Sequence, residues 1–160
     1  MAVPMSQPLA TWDSPEALSA AVGTSLPATA WQAVAPEIVR RFARLTGDDH
    51  PLHGGDDGVA AGKVVQGALL VSLTAGLLHE VYRLPWAHAV YQAGYDGIRF
   101  RAPVRAGERV RLQPTPSRFR RLKQGRYWLE TAVRLDSESE PDAVMTGTFL
   151  SLIVGAEAGR

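Results

Sequence analysis

Val65-Gln66-Gly67-Ala68-Leu69-Leu70-Val71-Ser72-Leu73-Thr74-Ala75-Gly76-Leu77-Leu78-His79-Glu80-Val81-Tyr82 is the stretch that decides the fold. On a helix its leucines, valines and alanines fall on nearly every side and leave no clear polar face, so other structure must wrap it. The apolar run from Val64 to Leu78 is interrupted by Gln66, Ser72 and Thr74. It falls short of the roughly 20 mostly apolar residues of a membrane span, and a buried helix in a soluble protein is expected.

Upstream, residues 1–11 read as a loose leader without a signal-peptide pattern. Asp13 and Ser14 followed by Pro15 start a short helix that ends near Gly23. Residues 28–34 suit a short extended segment around Trp31. Pro36 opens a second helix ending at Gly47, with Ile38, Val39, Phe42 and Leu45 at helical spacing and Arg40, Arg41 and Arg44 facing out. Downstream of Pro85 the rhythm changes to strands: residues 90–100, 108–113, 126–135 and 143–154. Turns are expected at 103–107, 114–117, 123–125 and 136–142. Tyr127, Leu129, Val133 and Leu135 alternate with Trp128, Glu130, Ala132 and Arg134, the pattern of a half-covered antiparallel strand. Helices followed by a run of strands give an α+β class, in which an antiparallel sheet curls around the apolar helix. No repeat or boundary divides residues 1–160, so one domain is expected.

The composition, 46% hydrophobic and 21% charged, is that of a globular domain large enough for a core. A net charge of +1 gives no reason to expect nucleic acid or an anionic membrane as partner. The absence of cysteine removes disulfides, thiolate metal sites and a cysteine nucleophile, and suits a cytoplasmic setting.

The chemistry concentrates in Phe42-Ala43-Arg44-Leu45-Thr46-Gly47-Asp48-Asp49-His50-Pro51-Leu52-His53. Asp48 and His53 follow a helix end on a loop stiffened by Pro51. A carboxylate and an imidazole held together orient one water and move its proton both ways, because imidazoles titrate near neutrality. The loop leads into Gln66-Gly67, where the N–H groups of a helix start can hold an oxyanion and glycine lets a ligand come close. By composition alone, a solvated turn accounts for the same loop.

In register, Phe42, Ala43, Thr46, Gly47, Asp48, His50, Pro51, Leu52 and His53 resemble the hydratase-2 signature of the MaoC-like (R)-specific enoyl-thioester hydratases. Gln66-Gly67-Ala68-Leu69-Leu70 resembles that family's central-helix start, and residues 98–108 resemble its strand-turn-strand R-F-x-x-P-V-x-x-G-[DE]. The resemblance extends over residues 30–154. It implies a hot-dog fold, a long central helix wrapped by a curved antiparallel sheet, in dimers that extend the sheet. It implies an enoyl thioester of coenzyme A or an acyl carrier protein as substrate, in fatty-acid or polyketide metabolism. Asp48 and His53 would activate water and the Gly67 N–H would hold the thioester oxygen. No metal or redox cofactor is implied; coenzyme A or phosphopantetheine arrives with the substrate. Gln66, Ala68 and Ser72 are the candidate substrate contacts near Gly67.

The sequence departs from that pattern in four places. Gln66 stands where the family has histidine, the segment from His53 to Gly67 is short, Gly55 replaces an aspartate with Asp56 one place later, and Ala75 takes a small polar position. These departures suit a specialised member. They also keep open a thioesterase, the addition of another nucleophile, or a non-catalytic acyl-thioester-binding subunit. Asp48, Asp49, His50, His53, Asp56 and Asp57 also suggest a metal cluster, but their spacing matches no metal motif and none is expected. His79 and His88 read as structural or surface residues. Arg118, Arg120, Arg121 and Lys123, with Arg126, form a basic patch on an expected hairpin. It suits coenzyme A phosphates or an acidic carrier protein, and equally a solvated edge that resists aggregation.

Overall fold

The computed structural model describes residues 10–53 and 62–156. In chain order its elements are β1 (Ala10–Thr11), α1 (Pro15–Ala20), β2 (Gln32–Ala33), α2 (Pro36–Thr46), α3 (Gly67–Val81), β3 (Tyr82–Arg83), β4 (Ala87–Phe100), β5 (Arg109–Arg121), β6 (Arg126–Ser137) and β7 (Met145–Gly155). One turn of 3-10 helix lies at Pro51–His53.

The expected α+β hot-dog arrangement is what forms. Five strands make an antiparallel sheet in the order β2-β5-β6-β7-β4 and curl about α3. Leu69, Leu70, Leu77, Leu78 and Val81 of α3 share one buried cluster with Leu112, Val133, Leu135 and Phe149 of the sheet. Burying each such side chain contributes about 1.5–3 kcal/mol, so this contact dominates the fold's stability. A second cluster closes the far end of the sheet, where Trp12 and Leu18 pack on Tyr127, Leu129 and Ile153. Ser14 caps α1 by accepting the Ala17 N–H at 3.1 Å. β6 alternates as its sequence requires, with Tyr127, Leu129, Val133 and Leu135 all inward.

Three expectations need correction. Residues 114–117 form no turn, because β5 continues through them to Arg121. The carbonyls of Leu112, Pro114 and Pro116 accept N–H groups from Thr29, Leu26 and Gly23, on the edge away from β6. Backbone N–H groups at these positions would face that same edge, so the two prolines remove no bond from the β5–β6 ladder. On α2, Val39 and Ala43 are the buried residues, whereas Ile38 is 38% and Leu45 84% exposed. The helix turns Val39, Ala43 and the partly buried Phe42 inward, an i, i+3, i+4 stripe, and these two side chains fall outside it. The leader expected over 1–11 is held at its end, where Ala10 and Thr11 pair in parallel with Tyr82 and Arg83; residues 1–9 lie outside the described residues.

Among the described residues, no helix is long and apolar enough to cross a membrane.

Candidate active site

The site is assembled by the chain's turn from α2 into α3. Helix α2 ends on Gly47, whose φ of 73° is the left-handed conformation that glycine adopts without a Cβ penalty. That turn delivers Asp48. The 3-10 turn follows, fixed by the His53 N–H donating to the His50 carbonyl at 2.8 Å and the Leu52 N–H donating to His50 Nδ1 at 3.2 Å. His50 thus shapes the loop. Two further bonds tie the turn to the fold: the Val64 N–H donates to the Leu52 carbonyl at 3.0 Å, and the Val65 N–H to the Val104 carbonyl at 2.8 Å.

His53 Nδ1 lies 2.6 Å from the Val64 carbonyl oxygen. A carbonyl oxygen only accepts, so Nδ1 carries the proton and neutral His53 presents the Nε2 lone pair. That Nε2 is 3.9 Å from Asp48 Oδ2. The separation is too long for a direct hydrogen bond and suits one oxygen atom bonded to both. The His53 side chain is 14% exposed and that of Asp48 is 48% exposed, so the imidazole is seated while the carboxylate reaches into solvent.

His53 and Gly67 line one cavity of about 360 Å³, together with Leu70, Phe100, Pro103 and Val104. This volume is near the lower end for small-molecule sites. Gly67 is the first residue of α3, so its N–H has no partner within the helix and sits at the positive end of the dipole. Phe100 has no role legible from its immediate neighbours, yet its ring stands directly over Gly67. Its place in the Arg99-Phe100 motif was the available signal.

The other expected residues are distributed differently. Gln66 is 1% exposed and turns inward, its Nε2 donating to the Val39 carbonyl at 3.3 Å. It joins α3 to α2 and does not line the cavity. Ala68 is exposed on α3, and the exposed Ser72 hydroxyl donates to the Ala68 carbonyl at 3.0 Å. The basic patch lies at the other end of the sheet. Phe100 is level with Met145, whereas Arg121 pairs with Tyr127 and Tyr127 with Ile153. Eight residues of β7 separate the two levels, about 26 Å of strand. There Arg118 approaches Glu130 at 3.6 Å, Arg120 lies over the Trp128 ring, Arg121 over Tyr127, and Lys123 is exposed. Asp56 and Asp57 lie outside the described residues, among which no cluster of three metal-ligating side chains occurs.

Residues 17–133 match the family model described as MaoC like domain. A 3-hydroxyacyl-thioester dehydratase of Mycobacterium tuberculosis is 28% identical over 140 residues, covering 84% of this chain and 93% of the relative. Among solved structures, an (R)-hydratase from A. caviae involved in PHA biosynthesis superposes with a TM-score of 0.61 at 23% identity, over 81% of this chain and 94% of that one. A truncated 3R-hydroxyacyl-ACP dehydratase complex from M. tuberculosis superposes with a TM-score of 0.61 at 18% identity, over 83% and 96%. The apolar helix, the curled sheet, the Asp48/His53 turn and the family match agree: the chain belongs to the MaoC-like domain family.

Proposed function

We propose that this protein is a 3-hydroxyacyl-thioester dehydratase, equally an enoyl-thioester hydratase, acting on a substrate carried by coenzyme A or an acyl carrier protein. The observation that carries the reading is the 3.9 Å gap between Asp48 Oδ2 and His53 Nε2 beside the start of α3. A water in that gap donates one hydrogen to each acceptor and turns a lone pair outward. Attack on the β-carbon forms the new C–O bond while a water proton passes to the pair. The electrons of the double bond move toward the thioester oxygen, which the Gly67 N–H steadies, and the pair then gives up the proton it took from water to the α-carbon. Dehydration runs the same steps backward, with direction set by substrate supply. The names of the mycobacterial and A. caviae relatives describe this chemistry and support the reading.

The experiment follows enoyl absorbance and free thiol together on crotonyl-CoA. Loss of absorbance without thiol, reduced about 10²–10⁴-fold by Asp48→Asn, is the expected result for a positioned acid–base group. Release of thiol would replace the reading with a thioesterase.

We further propose a homodimer joined through β4. This strand of 14 residues is an edge of the sheet, and it exposes Val90, Tyr91 and Tyr95 at 38%, 58% and 46%. A long, unpaired, apolar edge is a template for another strand, and a second copy of β4 satisfies it with two-fold symmetry. Sedimentation should give twice the monomer mass, falling to the monomer for Tyr91→Asp; a monomeric wild type would dismiss the dimer.

A further inference from the structure

We infer that Phe100 determines specificity at this site, admitting acyl thioesters that are unbranched at the α-carbon and rejecting α-branched ones; the inference rests on the thioester reading above. Phe100 is the last residue of β4, just beyond the register shift between Asp96 and Arg99. A Cβ placed on Gly67 would stand 2.7 Å from the Phe100 Cζ and 2.8 and 3.1 Å from its two Cε atoms. Carbon atoms in contact prefer about 3.5–4.0 Å, so the ring fills the space where any side chain at residue 67 would begin. The three nearly equal distances place that Cβ over the face of the ring at its Cζ end, so the ring face lies against Gly67 and blocks that space.

The geometry constrains any ligand that uses the Gly67 N–H. An oxygen about 2.9 Å from that nitrogen carries its carbonyl carbon, and the atoms bonded to it, alongside the glycine Cα and the ring tip. In a thioester those atoms are the sulfur and the α-carbon. Leu70, one turn along α3 and 2% exposed, and the fully buried Val104 complete the wall, with no slack to recede. Phe100 differs from them in being 52% exposed, so about half of this lining residue is open. An extra methyl on the α-carbon competes with the ring tip for the same volume. A hydrogen there does not.

The test compares crotonyl-CoA with tigloyl-CoA, its 2-methyl analogue, for wild type, Phe100→Leu and Phe100→Ala. In parallel, calorimetry measures binding of butyryl-CoA and 2-methylbutyryl-CoA, which needs no turnover. Wild type should favour the unbranched member of each pair. Phe100→Ala should shift the ratio of kcat/KM toward tigloyl-CoA by about 10-fold or more, the scale of one methyl group in an apolar pocket. Phe100→Leu, which lacks the ring tip but fills most of the base, should shift it in the same direction. It carries the test should the alanine variant fail to fold. Hydration of crotonyl-CoA with ratios unchanged in both variants would overturn the role of Phe100 alone. Neither binding nor turnover of any of these thioesters by wild type would overturn the thioester reading and this inference with it.

Discussion

The two ends of α3 carry cavities of nearly equal size and opposite character. At the N-terminal end, about 360 Å³ is lined by His53, Gly67, Leu70 and Phe100, with Asp48 beside His53. At the C-terminal end, about 350 Å³ is lined by Ala75, Leu78, His79, Tyr82, His88 and Tyr95, among others. Both have at least one histidine, one aromatic ring and one leucine in their walls. The helix gives them opposite polarity: unpaired N–H groups and positive potential at Gly67, unpaired carbonyls and negative potential near Val81. A developing oxyanion is stabilised at the first end and opposed at the second. Neither lining holds a carboxylate, but at the near cavity Asp48 stands 3.9 Å from His53; at the far one burial pushes the Tyr82 phenol above its ordinary 10.0, only partly offset by the Thr131 hydroxyl, so that group stays neutral. Volume alone therefore does not distinguish the two ends; the direction of the helix and the carboxylate–imidazole pair do.

The largest expected effect separates these two ends directly. His53→Ala should lower kcat on an enoyl thioester by about 10²–10⁴-fold, whereas the double variant His79→Ala/His88→Ala should leave it within about twofold of wild type, the two being exposed and remote from the pair. Equal losses in both would break the comparison. A smaller effect is expected at Gly67. Gly67→Ala meets the ring tip of Phe100, and overpacking of this kind costs about 1–3 kcal/mol. A fall in thermal midpoint should be relieved in Gly67→Ala/Phe100→Ala; an unchanged midpoint in the single variant would show that the ring moves freely aside. The smallest effect lies away from both cavities. Arg109 Nε donates to Glu138 Oε2 at 2.8 Å, and that bond, outweighing some desolvation, holds the Glu138 carboxyl below its ordinary 4.5. The carboxylate thus stabilises the fold above that value, and the contribution disappears as pH falls through the lowered one. Denaturation midpoints of wild type and Glu138→Gln should differ slightly at pH 7 and converge as pH falls through the lowered value, and a gap that persisted once the carboxyl is protonated would exclude the ion pair as its cause.

The contrast between the ends also explains which parts of the site were legible in the sequence. Asp48, His50 and His53 stand within six residues and belong to one local turn, so their spacing alone suggested a shared role. Their orientation was not legible. The proton on His53 Nδ1 depends on the Val64 carbonyl, 11 residues away, and the inward turn of Gln66 depends on Val39, 27 residues away. Gln66 had the composition of a ligand contact and became an internal bond between two helices. Phe100 belongs to the strand-turn-strand motif of residues 98–108, but no local rule places an aromatic ring on a glycine 33 positions earlier.

The same division runs through the whole molecule. By itself the sequence determined what depends on neighbours along the chain: the wrapped apolar helix, the alternation of β6, the Ser14 cap, the glycine stop after Thr46. These follow from side-chain periodicity and backbone preference, which act over a few residues. Only the tertiary structure decided that β5 passes through Pro114 and Pro116, since that requires the segment 23–29 lying along its outer edge. Only it decided that Arg121 of the basic hairpin lies about 26 Å of strand from the level of Phe100, because sheet register accumulates over whole strands. And only it decided that Phe100 and Gly67 share one cavity, a contact made by packing across the fold.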